Sequence, residues 1–378
     1  MPVKKIVFYI NGWMTGGIEN TLFSILKYIE KFEHIECTVK ICKGKKIARE
    51  NFPKFVKVEE ISKSRKLIVL LKKTILKCNE KKYNVCLMQK LEQIMNCYPS
   101  DSKTYDIAVE FQQMPHFLIP YVIKKVRAKK KILWIHEDLS NKTFLDNQFR
   151  KYIDEYDDIV SVSDVARLSL FKHYPDMKKD VTVIHNLINV DKIIKLSKEK
   201  DTIYDSNSIN ICSVGRLIRD KGFEIAIEAC KILIDRGYKI KWYVCGEGSY
   251  RKILEDKIDK YNLKENFILL GNQLNPYKYM KQAYIYCQPS LQEGYCNTLA
   301  EAKLLKKAII ATNFDAVHEH IKNGYNGLIV EISGVSLANG IEKLITDKQK
   351  YNMILQKSEY SENEQIQRRL YSLFQINE

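Results

Sequence analysis

Two glutamates, Glu293 and Glu301, bracket the segment EGYCNTLAE (293–301). The run before them, IYCQPS (285–290), reads as a short buried strand. The run after them predicts a helix over 298–306, with Asn297 or Thr298 as its cap. Glu293 then falls in the turn, and Glu301 sits about one turn into the helix. Free N–H groups at a helix start favour a phosphate. Carboxylates accept hydrogen bonds from neutral hydroxyls. The pattern suits a ligand carrying both, such as a nucleotide with its ribose and an attached sugar. A capping acid beside a surface acid is the plainer alternative.

Three other turns lie where strands should end. In SVGRL (213–217) followed by DKGF (220–223), Arg216 and Lys221 flank a turn between strand and helix. Two cations so spaced can grip a diphosphate from two sides, although solvated charges are common. CGEGS (245–249) is read as a tight structural turn. Gly16, Gly17, Ile18 and Glu19 follow the first strand, where paired glycines let a backbone approach a ligand closely. No GxGxxG dinucleotide fingerprint is present, and a plain turn is the leading reading of that segment.

The elements that must carry these turns alternate along the chain. KKIVFYI (4–10) reads as a strand, 19–32 as a helix with apolar residues near a 3.6 period, then 35–42, 105–111, 131–136, 157–163 and 181–186 as strands. The pattern restarts with strands at 209–215, 239–246, 266–271, 285–290 and 307–312, and helices at 223–236 and 250–261. Two serial βα arrays argue for an α/β fold with parallel sheets, in which ligands bind at the carboxyl ends of strands. The expected domains are 1–188 and 189–354, with a C-terminal helix in 355–378 packing back on the first. The polar stretch 191–208 reads as the connection.

Composition bounds the function. The 378 residues are 45% apolar, enough for a sizeable core and too many for a disordered chain. No apolar run approaches the ~20 residues of a membrane helix, and the stretch 6–10 is too short for a signal-peptide core. Ten cysteines without a CxxC pair read as reduced thiols in a cytoplasm, with no metal site. The net charge of +16 is lopsided. Residues 1–130 hold 26 Lys and Arg against 12 Asp and Glu. Such a field points to an anionic partner: nucleic acid, a phospholipid surface or an anionic small molecule. The two densest segments, 63–82 and 121–131, both read as helices with a basic side.

Together GGIE, VSVSD (160–164 and its neighbours), VIHN (183–186), VGRLIRDKGF (214–223), CGEG and EGYCNTLAE occur in the order and spacing of a known family. The chain resembles a retaining glycosyltransferase of family 4, bacterial surface-polysaccharide type, with the GT-B fold. The likeness runs along nearly the whole chain and is best in the C-terminal part. It implies two Rossmann-like domains facing a central cleft, the C-terminal one holding a nucleotide-sugar, UDP-linked. Arg216 and Lys221 would hold the diphosphate, and Glu301 the ribose. Glu293 would hold the donor sugar, with the backbone of Gly294, Tyr295, Cys296, Asn297, Thr298 and Leu299 near sugar and phosphate. Gly17 would meet the diphosphate, and Gly16, Gly17 and Glu19 the acceptor. His136 would sit beside the donor sugar's 6-hydroxyl.

No metal or cofactor is obligatory in such a reaction, because two cations and a helix start oppose the leaving diphosphate. The expected partners are a glycan or lipid-linked glycan and an anionic membrane surface, with the protein cytoplasmic and peripheral. Three departures stand out: His185 where VIPN has proline, Tyr295-Cys296 after the EG, and the acids Glu137 and Asp138 beside His136. Two competing readings remain: another GT-B activity such as a nucleotide-sugar epimerase, and a basic nucleic-acid-binding protein, which lacks a reading motif.

Overall fold

The computed structural model describes residues 2–12, 16–42, 52–61, 87–112, 114–140, 142, 145, 147–199 and 203–376. The basic stretch expected as a helix over 63–82 lies outside them. The described residues form two compact units, one of residues 1–187 and 364–378, the other of 188–363.

The first unit is built on a parallel sheet of β1 (Lys4–Ile10), β2 (Ile35–Ile41), β3 (Lys57–Glu60), β4 (Thr104–Glu110), β5 (Arg127–Ile135), β6 (Asp158–Ser161) and β7 (Val181–Val183). Their spatial order is β3-β2-β1-β4-β5-β6-β7. Chain order reverses between β1 and β4, the place where open α/β sheets bind ligands. Asn11 and Gln112, the residues just past those two strands, are joined by a hydrogen bond of 2.9 Å from the Asn11 N–H to the Gln112 side chain. The helix Asn363–Leu373 belongs to this unit apart from its first residue. It packs Phe374 on Phe8 with ring centroids 5.9 Å apart.

The second unit carries β8 (Ile209–Val214), β9 (Ile240–Cys245), β10 (Phe267–Gly271), β11 (Ile285–Gln288), β12 (Ala308–Thr312) and β13 (Leu328–Val330), in the order β10-β9-β8-β11-β12-β13. All are parallel, and the reversal lies between β8 and β11. Strands covered by helices on both faces must be apolar throughout. Accordingly Ile211, Trp242, Val244, Ile285, Cys287 and Ile310 are buried on one face of this sheet, and Cys212, Tyr243, Tyr286, Ile309 and Ala311 on the other. The fold is α/β and of the GT-B type.

Some elements differ from the expected ones. The segment 121–131 is not one basic helix. A helix runs over Leu118–Lys125, Val126 turns to extended backbone, and β5 begins at Arg127. Its lysines face acids on the neighbouring strands, Lys129 with Asp106 at 2.7 Å and Lys130 with Asp158 at 2.5 Å. The polar stretch 191–208 contains most of a helix, Val190–Ser197, that lies in the second unit. β3 and β13 were not foreseen. β3 is a four-residue charged edge strand, and β13 has only three residues.

Candidate functional site

The second sheet's reversal point places the ends of β8 and β11 side by side. Past β8, Gly215 and Arg216 lead into a short turn, Arg219–Lys221, closed by Gly222 with φ 62°. A Cβ on Gly222 would lie 1.9 Å from the Pro289 carbonyl oxygen, so only glycine permits this approach. The Leu291 N–H donates to the Asp220 carbonyl at 2.8 Å, tying the turn to the loop after β11. Lys221 is thereby brought onto Glu293. Its Nζ lies 2.6 Å from Oε1 and 2.7 Å from Oε2 of the carboxylate.

Both members of this pair are largely shielded, the side chains 18% and 8% exposed. Burial opposes the Lys221 charge, but Glu293 overrides it and holds the lysine pKa above its ordinary value. Arg216 is exposed beside this turn, and no described side chain pairs with its guanidinium. A shielded carboxylate, a cation held on it and an exposed second cation thus lie together past the ends of β8 and β11. Such a site can bind polar hydroxyls and phosphate together.

Glu301 sits in the helix Asn297–Leu304 and is buried. Desolvation pushes its pKa up to about 7, although the Tyr277 hydroxyl donates to Oε1 at 3.2 Å. The helix start differs from the expected one. Neither Asn297 nor Thr298 caps it. The N-cap is Cys296, in the left-handed region at φ 76° with no side-chain cap. The Thr298 hydroxyl instead donates to Gln288 Oε1 at 2.9 Å. Tyr295 is buried against the His320 ring, its hydroxyl on Glu362 at 2.9 Å, so any ligand contact from it must come from the backbone. Gly294 and Leu299 lie on either side of the same turn.

The CGEG turn has a structural cause. Gly246 has φ 157°, and a Cβ there would lie 1.8 Å from the Gly215 carbonyl oxygen. Its backbone lies against the turn that carries Arg216, with the Leu217 N–H donating to the Glu247 carbonyl at 2.9 Å.

In the first unit, Gly16 is the extended N-cap of the helix Gly17–Ile29, and Glu19 lies in its first turn. His136 follows β5. Its ring meets Phe111 at 4.4 Å and stacks near Trp134 at 13°. Its Nε2 is sealed from solvent with no partner among the described residues. Burial drives its pKa down to about 3, so the imidazole is neutral at ordinary pH. Glu137 is paired with Lys142 at 2.8 Å, and Asp138 accepts from the Ser140 N–H at 2.9 Å. Among the described residues no group of three or more His, Cys, Asp or Glu could hold a metal ion.

Residues 195–360 match the family described as Glycosyl transferases group 1. That match lies within the second unit. Two bacterial relatives match the chain over about half of their own length. A capsular polysaccharide biosynthesis glycosyltransferase, CapM of Staphylococcus aureus, is 27% identical over 202 residues, 50% of this chain and 53% of that protein. N-acetylgalactosamine-N,N'-diacetylbacillosaminyl-diphospho-undecaprenol 4-alpha-N-acetylgalactosaminyltransferase of Campylobacter jejuni is 28% identical over 181 residues, 47% of this chain and 48% of that protein. Among solved structures, Anabaena HepE in complex with UDP-glucose superposes with a TM-score of 0.74. The match covers 98% of this chain and 99% of that one, at 17% identity, a likeness of fold.

Three polar residues of the site escaped the sequence reading. Tyr277 reaches Glu301 from 24 positions upstream, and no local pattern marks it. Gln288 and Ser290, both fully buried, lie inside IYCQPS. A glutamine closing an otherwise apolar strand was the available signal.

Proposed function

We propose that the chain is a retaining glycosyltransferase that moves a sugar from a UDP-sugar to a glycan or lipid-linked glycan acceptor in surface polysaccharide synthesis. The observation that carries this reading is the Lys221–Glu293 pair at the β8–β11 reversal, with Arg216 exposed beside it. Breaking the anomeric bond places negative charge on the departing diphosphate. Arg216, Lys221 and the N–H groups at the start of Asn297–Leu304 oppose it, so the reaction draws its positive charge from the protein. On donor binding Lys221 turns to the diphosphate. Glu293 is then free to accept from a sugar hydroxyl, while Glu301 accepts from the ribose.

Retention follows from attack on the face that the diphosphate leaves. The acceptor oxygen bonds the anomeric carbon as the carbon–diphosphate bond breaks, and the acceptor proton passes to a leaving-group oxygen. His136, neutral, keeps the implied role of a hydrogen-bond partner for a sugar hydroxyl. Gly16, Gly17 and Glu19 are assigned to the acceptor. The names of the Staphylococcus and Campylobacter relatives support a polysaccharide or lipid-diphosphate acceptor. The positive excess in residues 1–130 supports an anionic membrane surface as the place of work.

The test is UDP release from a panel of UDP-sugars with a lipid-linked sugar diphosphate as acceptor. NMR of the product then gives its anomeric configuration. Acceptor-dependent release with an unchanged configuration is expected. No release from any donor contradicts the reading, and an inverted product contradicts retention.

A further inference from the structure

We infer that Gln288 is the positioning residue that aims Glu293, and that through it the site favours a sugar nucleotide over the bare nucleotide. This rests on the donor reading proposed above. Gln288 ends β11 and is fully buried. A buried side-chain amide is tolerated only when its hydrogen-bonding groups are met. Here all four are engaged. Oε1 accepts from the Tyr286 hydroxyl at 2.7 Å and the Thr298 hydroxyl at 2.9 Å. Nε2 donates to Ser290 Oγ at 2.8 Å and to Glu293 Oε1 at 3.3 Å.

The carboxylate decides which way the amide faces. Glu293, in an ion pair with Lys221, has no proton to donate, so the amide oxygen cannot take the position of Nε2. The direction of every bond then follows. Ser290, which accepts from Gln288, turns its own proton to Glu293 Oε1 at 2.7 Å. Oε1 therefore collects three donors: Gln288, Ser290 and Lys221. Oε2 has Lys221 alone among the described residues. When Lys221 leaves for a diphosphate, Oε1 remains anchored by two neutral donors and Oε2 becomes the open edge. Gln288 also joins Glu293 to the second residue of Asn297–Leu304 through Thr298, so the carboxylate and the anion-binding helix start keep one spacing. Glu301 lies outside this network, bonded to Tyr277.

Gln288→Met keeps the length of the side chain and deletes its hydrogen bonds. Ser290→Ala deletes a single donor to Glu293 and leaves the bonds of Gln288 to Tyr286 and Thr298 intact. Calorimetric titration of wild type and both variants uses UDP and three probes, UDP-glucose, UDP-galactose and UDP-N-acetylglucosamine. The probe that binds wild type most tightly is then followed. Gln288→Met should weaken that sugar nucleotide about tenfold and UDP no more than about twofold, since each lost donor served a charged acceptor. Ser290→Ala should show the same split to a lesser degree. Equal weakening of UDP and sugar nucleotide, or no change in either variant, overturns the inference. If Gln288→Met fails to fold, the split in Ser290→Ala decides. A wild type that binds neither UDP nor any UDP-sugar removes the donor reading itself, and the inference falls with it.

Discussion

Lys221 and Glu293 satisfy one another at the second unit's strand ends, and this ties their chemistry to stability. From its spacing in the sequence, Lys221 is read as half of a diphosphate grip. The structure shows it bonded to both oxygens of a nearly buried carboxylate. Removing one member of a buried pair leaves an uncompensated charge, at a cost of about 3 kcal/mol or more. Lys221→Ala should therefore lower the melting temperature as well as cut turnover by roughly 10²–10³. The double variant Lys221→Met, Glu293→Gln should recover most of the stability and none of the activity. Melting curves and transfer rates on the same preparations check both. A Lys221→Ala that keeps about a third of the wild-type rate, far above that loss, contradicts the diphosphate grip. Glu301 is the group of this site that titrates near neutral pH, since His136, pushed to about 3, is neutral throughout the working range. A carboxyl raised from 4.5 to about 7 by burial takes up a proton on folding between those values. Its contribution to stability thus falls as pH rises across that window and levels off above it. Ribose hydroxyls need the ionised form, so UDP affinity should move the other way, rising by up to about tenfold from pH 6 to 8. Glu301→Gln should flatten the affinity curve and reduce the fall in stability across that window. An unchanged pH profile in that variant would place the titrating group elsewhere.

At the scale of elements, the site depends on how strand ends meet the helix Asn297–Leu304. Its N-cap, Cys296, holds a left-handed conformation that costs a non-glycine residue about 1 kcal/mol or more. Cys296→Ala keeps that strain and loses the buried sulfur, whereas Cys296→Gly relieves it. The glycine variant should be the more stable of the two by about 1 kcal/mol, read from urea or thermal midpoints. An alanine variant as stable as the glycine one would show that the turn is not strained there. Much of this architecture was legible in the sequence. Parallel strands buried on both faces appear as short apolar runs, and β1, β8, β9 and β12 stand within a residue or so of their expected limits. The turns at their ends were legible because glycines and charges cluster there. What escaped was decided by tertiary partners. The lysines of 127–131 look like a helix surface, yet Asp106 and Asp158 on the strands to either side hold Lys129 and Lys130 in an interior strand, β5. The helix start carries the cap signals Asn297 and Thr298, yet Cys296 holds the cap position and Thr298 turns its hydroxyl to Gln288.

Over the whole molecule, the excess of positive charge in residues 1–130 remains the feature that asks for an outside partner. Part of it is met by acids beyond residue 130, as at Lys130 with Asp158 at 2.5 Å. None of the described helices is long and apolar enough to cross a membrane. Electrostatic association with an anionic surface is the reading this charge supports, with each free cation near it contributing about 1 kcal/mol. Vesicles containing phosphatidylglycerol should pull the protein down at low salt and release it at high salt. Lys129→Ser with Lys130→Ser should change this little, because both lysines already face acids. Equal binding to neutral vesicles would reduce the lysines to ordinary surface charge. The central claim, that the second unit holds a nucleotide-sugar at the β8–β11 reversal, is tested most directly by thermal unfolding against UDP-, GDP- and ADP-sugars. A UDP-sugar at ~100 times its dissociation constant should stabilise the chain by about 2.7 kcal/mol. That gain should vanish in Glu301→Ala. A flat response to every nucleotide, or an undiminished gain in Glu301→Ala, would contradict the account.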